Sequence, residues 1–252
     1  MPHQVGPSLA VALLILLVLA LAASWWSRLR LEKSLAAAAG RAVIQLGLVS
    51  LIIAGVVGRV GWSLLFASLM FAIAVFTSTR RVGAPRAWPW AALAMAAGVL
   101  PVLLTIFLTG AVPFNGPSIV PMAGIIIGGV MNGHSLAGRR VFGSLRDEYG
   151  SYEAALSIGL TRPQAIGEVS ARHLPEALVP ALDQTRTVGL VTLPGAFVGV
   201  LLGGGSPLQA GAAQVLVLVG LLAAESITVA VAHRLIKQAL LLPPDLAESL
   251  RP

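Results

Sequence analysis

The sequence predicts an all-α, polytopic membrane protein with about seven transmembrane helices, and three observations carry that expectation. Of its 252 residues 57% are hydrophobic and only 11% charged, whereas soluble domains carry roughly 25% charged residues. Apolar runs of about 17 to 25 residues, each long enough to cross a bilayer as a helix, occupy approximately residues 7–26, 42–58, 61–79, 90–109, 117–136, 187–203 and 209–232. The basic residues fall on alternate connections. Arg28, Arg30, Lys33 and Arg41 follow the first run, and Arg80, Arg81 and Arg86 the third. Arg139, Arg140, Arg146, Arg162, Arg172 and Arg186 follow the fifth, and Arg234, Lys237 and Arg251 the seventh. Of 17 Lys and Arg residues only Arg59 is left for the opposite side. The positive-inside rule puts the basic side in the cytoplasm, with the N-terminus outside and the C-terminus inside. No repeat, low-complexity segment or separate soluble domain interrupts the pattern, so residues 1–252 read as a single transmembrane domain.

The first run carries Ala20-Leu21-Ala22, which resembles a cleavage site, but MPHQVGPSLA at the N-terminus has no Lys or Arg, so it reads as a retained span and not a signal peptide. Runs four to six contain Pro101, Pro121 and Pro194. Each removes a backbone donor, which membrane helices tolerate where protein or a water-filled cavity satisfies the freed carbonyl. Gly124-x-x-x-Gly128 in run five and Gly195-x-x-x-Gly199-x-x-x-Gly203 in run six form flat ridges that let backbones approach, within one chain or between chains. GGGSP between runs six and seven reads as a tight external turn.

Between runs five and six lies a polar, helical loop of approximately residues 137–186. Ser151 is placed to cap a helix starting near Glu153, and Gly159 to end it in a left-handed conformation. Thr161-x-x-Gln164 has the spacing of a capping box, with Pro163 tolerated in the first turn. Phe142, Leu145, Tyr149 and Tyr152 recur at helical spacing with charged residues on the other faces, an amphipathic surface suited to contact.

Polar residues inside the runs are few: Gln45, Gln214 and Glu225. Glu225 is the only carboxylate well inside an apolar run, where a charge must be paired, hydrated or protonated. A metal or pathway role and a structural hydrogen bond are both compatible with it. Met70, Met95, Met122 and Met131 are scattered and read as packing; His134, His173 and His233 lie at run ends or in the loop. There is no His-Glu-x-x-His spacing, and the absence of cysteine excludes disulfides and thiolate ligands. The net charge of +7 resides in loops with no aromatic-basic surface, so nucleic acid is not an expected partner; the lipid bilayer is. A Gly-x-x-x-x-Gly-Lys-Ser/Thr phosphate loop is absent, the only lysines being Lys33 and Lys237, and so is a Gly-x-Ser-x-Gly elbow. An enzyme is not expected, nor a cofactor bound by this chain.

EAALSIG followed by LPEAL resembles the cytoplasmic coupling loop of ABC-transporter permeases, and the matching positions are Glu153, Ala154, Ala155, Gly159, Leu174 and Pro175. The resemblance implies a coupling helix that docks into a separate ATP-binding subunit, where ATP is bound. Leu174-Pro175 stands later than importers place it, so this loop does not fix the direction of transport. The run EALVPALDQTRTVGLVTLPGAFVGVLLGGGSPLQAGAAQ, with LLAAES after it, resembles the FetB-type permeases of bacterial iron-export ABC transporters, which are related to plant aluminium-tolerance permeases. The similarity covers roughly Arg41 to Arg234, is densest from Asn132 and is weak before Arg41. It implies a permease subunit in the cytoplasmic (inner) membrane that passes iron or another metal ion, with export favoured. A seven-helix chain is small for a complete pathway, so a homodimer is expected. The competing classes are an ion-coupled carrier and a membrane scaffold that transports nothing.

Overall fold

The computed structural model describes residues 6–250, so Arg251 and the first residues of the N-terminal stretch lie outside the description. The described chain is helical throughout, with only an isolated bridge between Val188 and Thr192 outside helices and turns. It divides into two compact units, Met1–Val56 and Val57–Pro252.

The first unit holds α1 (Pro7–Trp26) and α2 (Glu32–Val57), whose last residue falls beyond the boundary. Both helices are apolar around their circumference and expose nearly every side chain, as expected of helices solvated by lipid. Arg28 and Arg30 take positive φ in the turn between them. Ser24 staples that turn: its Oγ donates to Glu32 Oε1 at 2.8 Å and accepts from the Leu31 backbone N–H at 3.2 Å.

In the second unit α3 (Val60–Arg81), α4 (Trp88–Leu108), α5 (Gly116–Asp147) and α10 (Pro207–Lys237) pack into a four-helix core. Met95, Val99, Ile126, Val130, Leu221 and Ala224 form its centre. The helices approach at glycines. A β-carbon on Gly98 would lie 2.3 Å from the Ala224 carbonyl oxygen, and one on Gly129 would lie 2.3 Å from Leu221 Cδ2. Gly220 faces Ile126 while Gly133 faces Glu225, so α5 and α10 run parallel. At about 1.5 Å per residue each extends well past the roughly 30 Å hydrocarbon layer.

That excess length corrects two sequence expectations. The fifth run does not stop near residue 136 but continues as one helix to Asp147. The next helix, α6, spans Tyr149–Ser157, so Ser151 sits in its first turn and caps nothing; Glu148, with φ −112° and ψ 32°, is the bend between the two. Phe142, Leu145 and Tyr152 are buried within the chain, so their stripe is core and not a contact surface. Packing on that core draws the start of α6 toward α5.

The sixth run, 187–203, is also not a continuous helix. Helix α8 (Val179–Thr187) ends there, a turn follows with Gly189 at φ 80°, and α9 covers only Gly195–Leu202. Pro194 is thus the N-cap of α9 and not a kink inside a span. Among the described residues six helices are long and apolar enough to cross a membrane by themselves; at about 12 Å, α9 is not. Because α5 and α10 are parallel, the chain between them must return, and this broken segment carries it. Ala177 packs with Val229 and α9 begins beside Gln214, so the segment descends about 22 Å of α10. Gln214 Oε1 accepts from the Phe197 N–H at 3.3 Å, satisfying one of the donors orphaned at a helix start. Within the turn, Thr192 O accepts from Gly189 N–H at 2.9 Å and Thr187 O from Val191 N–H at 3.0 Å.

Candidate coupling surface and membrane carboxylate

The coupling region is built on the projecting end of α5. Helix α6 ends as the sequence predicts: Gly159 adopts φ 92°, Leu160 N–H donates to Ala155 O at 3.1 Å and Gly159 N–H to Leu156 O at 2.9 Å. These bonds close its last carbonyls in a left-handed cap. Thr161 then starts α7 (Arg162–Ser170) with the predicted capping box, its backbone N–H donating to Gln164 Oε1 at 2.8 Å. Ala165, Ile166 and Val169 face inward and fix α7 on the core.

Two faces of α6 result. Glu153, Ala154, Ser157 and Gly159 are exposed, and Ile158 presents 79% of its surface at the corner. Ala155, matched above to the coupling pattern, points the other way and is buried beside Tyr152, because the helical period puts residues three apart on one face. Leu174 and Pro175 lie in a tight 3-10 segment, Ala171–Leu178, which packs on α5. Leu174 is half-buried against Ala137, Ala177 and Val229, while Pro175 is exposed. Ion pairs hold the segment: Glu148 pairs with Arg172 and accepts from His173 Nε2 at 2.9 Å, and Arg140 Nε meets Glu176 at 3.0 Å. Leu174-Pro175 is therefore braced against α5 and lies apart from the exposed corner of α6.

Within the membrane, Glu225 of α10 is buried against α5 where Gly129 and Gly133 leave room for it. A β-carbon on Gly129 would lie 2.7 Å from its Oε1, and one on Gly133 would lie 3.4 Å from its Oε2. Sequence spacing had selected Gly124 and Gly128 instead. Gly124 only brushes the end of Met70, and Gly128 meets nothing within 4 Å. Gly195 and Gly199 are likewise open, and Gly203 meets only its own helix.

A buried polar cluster joins α3 to α5 nearby, and the sequence had hidden it as a histidine at a run end. His134 is 1% exposed, with Nδ1 2.7 Å from Ser78 Oγ. Ser78 Oγ is also 2.9 Å from Ser135 Oγ, which donates to Met131 O at 2.7 Å. His134 Nε2 and Thr228 Oγ1 are buried without a protein partner. Among the described residues no group of three His, Asp or Glu side chains converges as a metal cage.

This arrangement of long helices and a helical platform at the end of α5 can be compared with known proteins. No solved structure matches it. The chain is 31% identical over 227 residues to rice UPF0014 membrane protein STAR2, covering 89% of this chain and 80% of the relative. It is 30% identical to the Arabidopsis thaliana protein ALUMINUM SENSITIVE 3, covering 86% and 82%. With the Escherichia coli protein named probable iron export permease protein FetB it shares 31% identity over 89% of this chain and 88% of the relative. Residues 8–241 match the uncharacterised protein family UPF0014, so the similarity reaches into α1, well before Arg41. With its lipid-exposed helices and that match along nearly its whole length, the chain is a multi-pass membrane protein and belongs to the UPF0014 family.

Proposed function

We propose that the protein is the permease subunit of an ABC exporter for iron, or another divalent metal ion, in the cytoplasmic membrane, acting as a homodimer with separate ATP-binding subunits. The observation that carries the reading is the exposed corner of α6, in which Glu153, Ala154, Ser157 and Ile158 point away from the core and Gly159 ends the helix. The corner is set on the rigid end of α5, one of the two longest helices. ATP binding can move membrane helices only if the ATP-binding subunit contacts one permease state better than the other, so a docking helix packed firmly on the end of a span is what the mechanism needs. Iron and the outward direction come from the FetB relative. The concentration of Lys and Arg on alternate connections supports a cytoplasmic corner in this reading, with the N-terminus outside and the C-terminus inside.

Glu225 is the residue proposed to meet the cation. It lies on the stretch of α10 flanked by the broken segment, between the levels of Gln214 and Val229. Discontinuous segments at mid-membrane are where transporters expose backbone to substrate, and a carboxylate suits a hard divalent ion. The buried carboxylate also favours a second reading, an ion-coupled carrier that needs no ATPase.

The deciding experiment asks whether an ATP-binding chain copurifies with the protein from its native membrane, and follows ferrous iron efflux. Ala154→Asp, on the exposed face, and Gly159→Val, strained at positive φ by roughly 1–2 kcal/mol, are expected to abolish association while leaving the folded permease in the membrane. Iron movement in proteoliposomes without ATP would support the carrier instead.

A further inference from the structure

We propose that the C-terminal segment, residues 238–250, is a transmission strap linking the cytoplasmic end of α10 to α6, with Tyr152, Tyr149 and Arg146 as its positioning residues. The proposal rests on the docking role given to α6 above.

The segment is built into the molecule. After α10 ends at Lys237, Ala239 turns the chain with φ 59°, and Pro243 caps a last helix, α11 (Pro244–Ser249). Leu241, Leu242, Leu246 and Leu250 are all buried in the main core cluster with Leu145, Tyr152, Ala155 and Ile166. The apolar face of the strap thus belongs to the same buried cluster as α6 and α7, and α11 packs on α5. Nothing in the periodicity of the transmembrane runs announces it, because LLLPPDLAESL is too short to span.

Polar contacts then fix its register. Tyr152 Oη donates to Leu250 O at 3.1 Å, and Tyr149 Oη to Ser249 O at 3.3 Å. Those carbonyls stand at the end of α11, where a helix has no amide left to satisfy them, so the two tyrosines of α6 cap α11. A tyrosine hydroxyl is a donor throughout the neutral range, and burial pushes that of Tyr152 further up. On the other side Arg146 makes a forked contact with Asp245, Nε to Oδ2 at 2.7 Å and Nη2 to Oδ1 at 3.2 Å. The guanidinium holds the Asp245 carboxyl below its ordinary range, so the pair is complete at neutral pH and is lost only as pH falls through that lowered value. An exposed pair of this kind is a weak anchor by itself; here it orients a segment that the leucines already hold.

The consequence is mechanical. The outward face of α6 receives the ATP-binding subunit, and its inward face grips the continuation of α10, the helix that carries Glu225. A displacement at the docking corner is thereby delivered to α10 directly, in addition to passing through α5.

The test uses the full-length permease with its ATP-binding subunit and measures iron efflux per ATP hydrolysed. Tyr149→Phe with Tyr152→Phe keeps both rings and removes both hydroxyls. That variant is expected to fold and to bind the ATP-binding subunit as the wild type does, but to lose at least fivefold in efflux per ATP. Arg146→Asp and Asp245→Arg should each impair coupling singly, and the two together should restore it. A double-Phe variant with wild-type efflux per ATP in an intact complex overturns the strap while leaving the docking corner standing. A wild-type permease that binds no ATP-binding subunit overturns both.

Discussion

Gly98 and Gly199 are both helical glycines in membrane segments, and they differ in what a β-carbon would meet. At Gly98 it would strike Thr228 Oγ1 and the Ala224 carbonyl at 2.2 and 2.3 Å, the second of which is backbone and unable to rotate away. Gly98→Val should separate α4 from α10 and destabilise the fold by about 1–3 kcal/mol, the usual cost of overpacking, visible as a lower aggregation temperature in detergent. At Gly199 nothing lies within 4 Å. Gly199→Leu should leave that temperature unchanged and reduce crosslinked dimer, if α9 contributes to the contact between copies; an equal effect at both sites would contradict this division. The sequence contains two successive Gly-x-x-x-Gly pairs on α5, Gly124 with Gly128 and Gly129 with Gly133. Spacing alone does not choose between them, since which pair turns inward depends on the position of α10. Glu225 was legible as an exceptional residue, but its seat against the second pair was not. Replacing it tests its role: Glu225→Gln preserves shape and hydrogen bonding, so efflux lost with Gln as well as with Leu, at matched protein levels, assigns it to cation passage, whereas normal efflux with Gln makes it structural.

At the scale of the element, the long helices were readable because a continuous apolar run leaves the backbone no alternative to internal hydrogen bonding in lipid. The caps of α6 and α7 at Gly159 and Thr161 were readable for a local reason, as each satisfies orphan groups with atoms a few residues away. What failed was decided by tertiary packing. The extension of α5 to Asp147 and the start of α6 at Tyr149 follow from burying Leu145 and Tyr152, and the role of α11 follows from the leucines beneath them. The sixth run failed for a different reason. Its hydropathy is that of a span, yet Gly189 and Pro194 favour a break, the β-branched pair Val191-Thr192 lowers helix propensity between them, and Gln214 of a distant helix supports the restart.

Taken as a whole molecule, the second unit resembles a bundle standing on a platform. Four helices supply the core within the membrane, and α6, α7 and α11 contribute to the same apolar cluster at its basic end, with Leu174 of the braced segment packed against it while Ala177 joins a separate small cluster with Ala137 and Val229. This division suits the proposed permease, which would hold a stable face for its ATP-binding subunit while its spans shift. It also explains why the candidate site was only half legible: the motif names Glu153, Ala154, Ala155 and Gly159 alike, whereas which of them face outward depends on the tertiary burial of Tyr152, which takes Ala155 inward with it.

The broken sixth segment has a consequence for how the protein is made. An eight-residue helix flanked by a turn is a poor stop for a nascent chain, and Leu190, 88% exposed, has no neighbour of its own chain to settle against. During synthesis residues 179–206 should therefore wait on the cytoplasmic side until α10 emerges, then cross with it as a pair, guided by the Gln214 contact. A chain truncated before α10 should leave a glycosylation acceptor or a single cysteine at Ser206 unmodified from outside, and the full-length chain should modify it. Ser151 should stay protected in both. Modification of Ser206 in the truncated chain would mean that the segment inserts unaided, and that its break forms only after it has crossed.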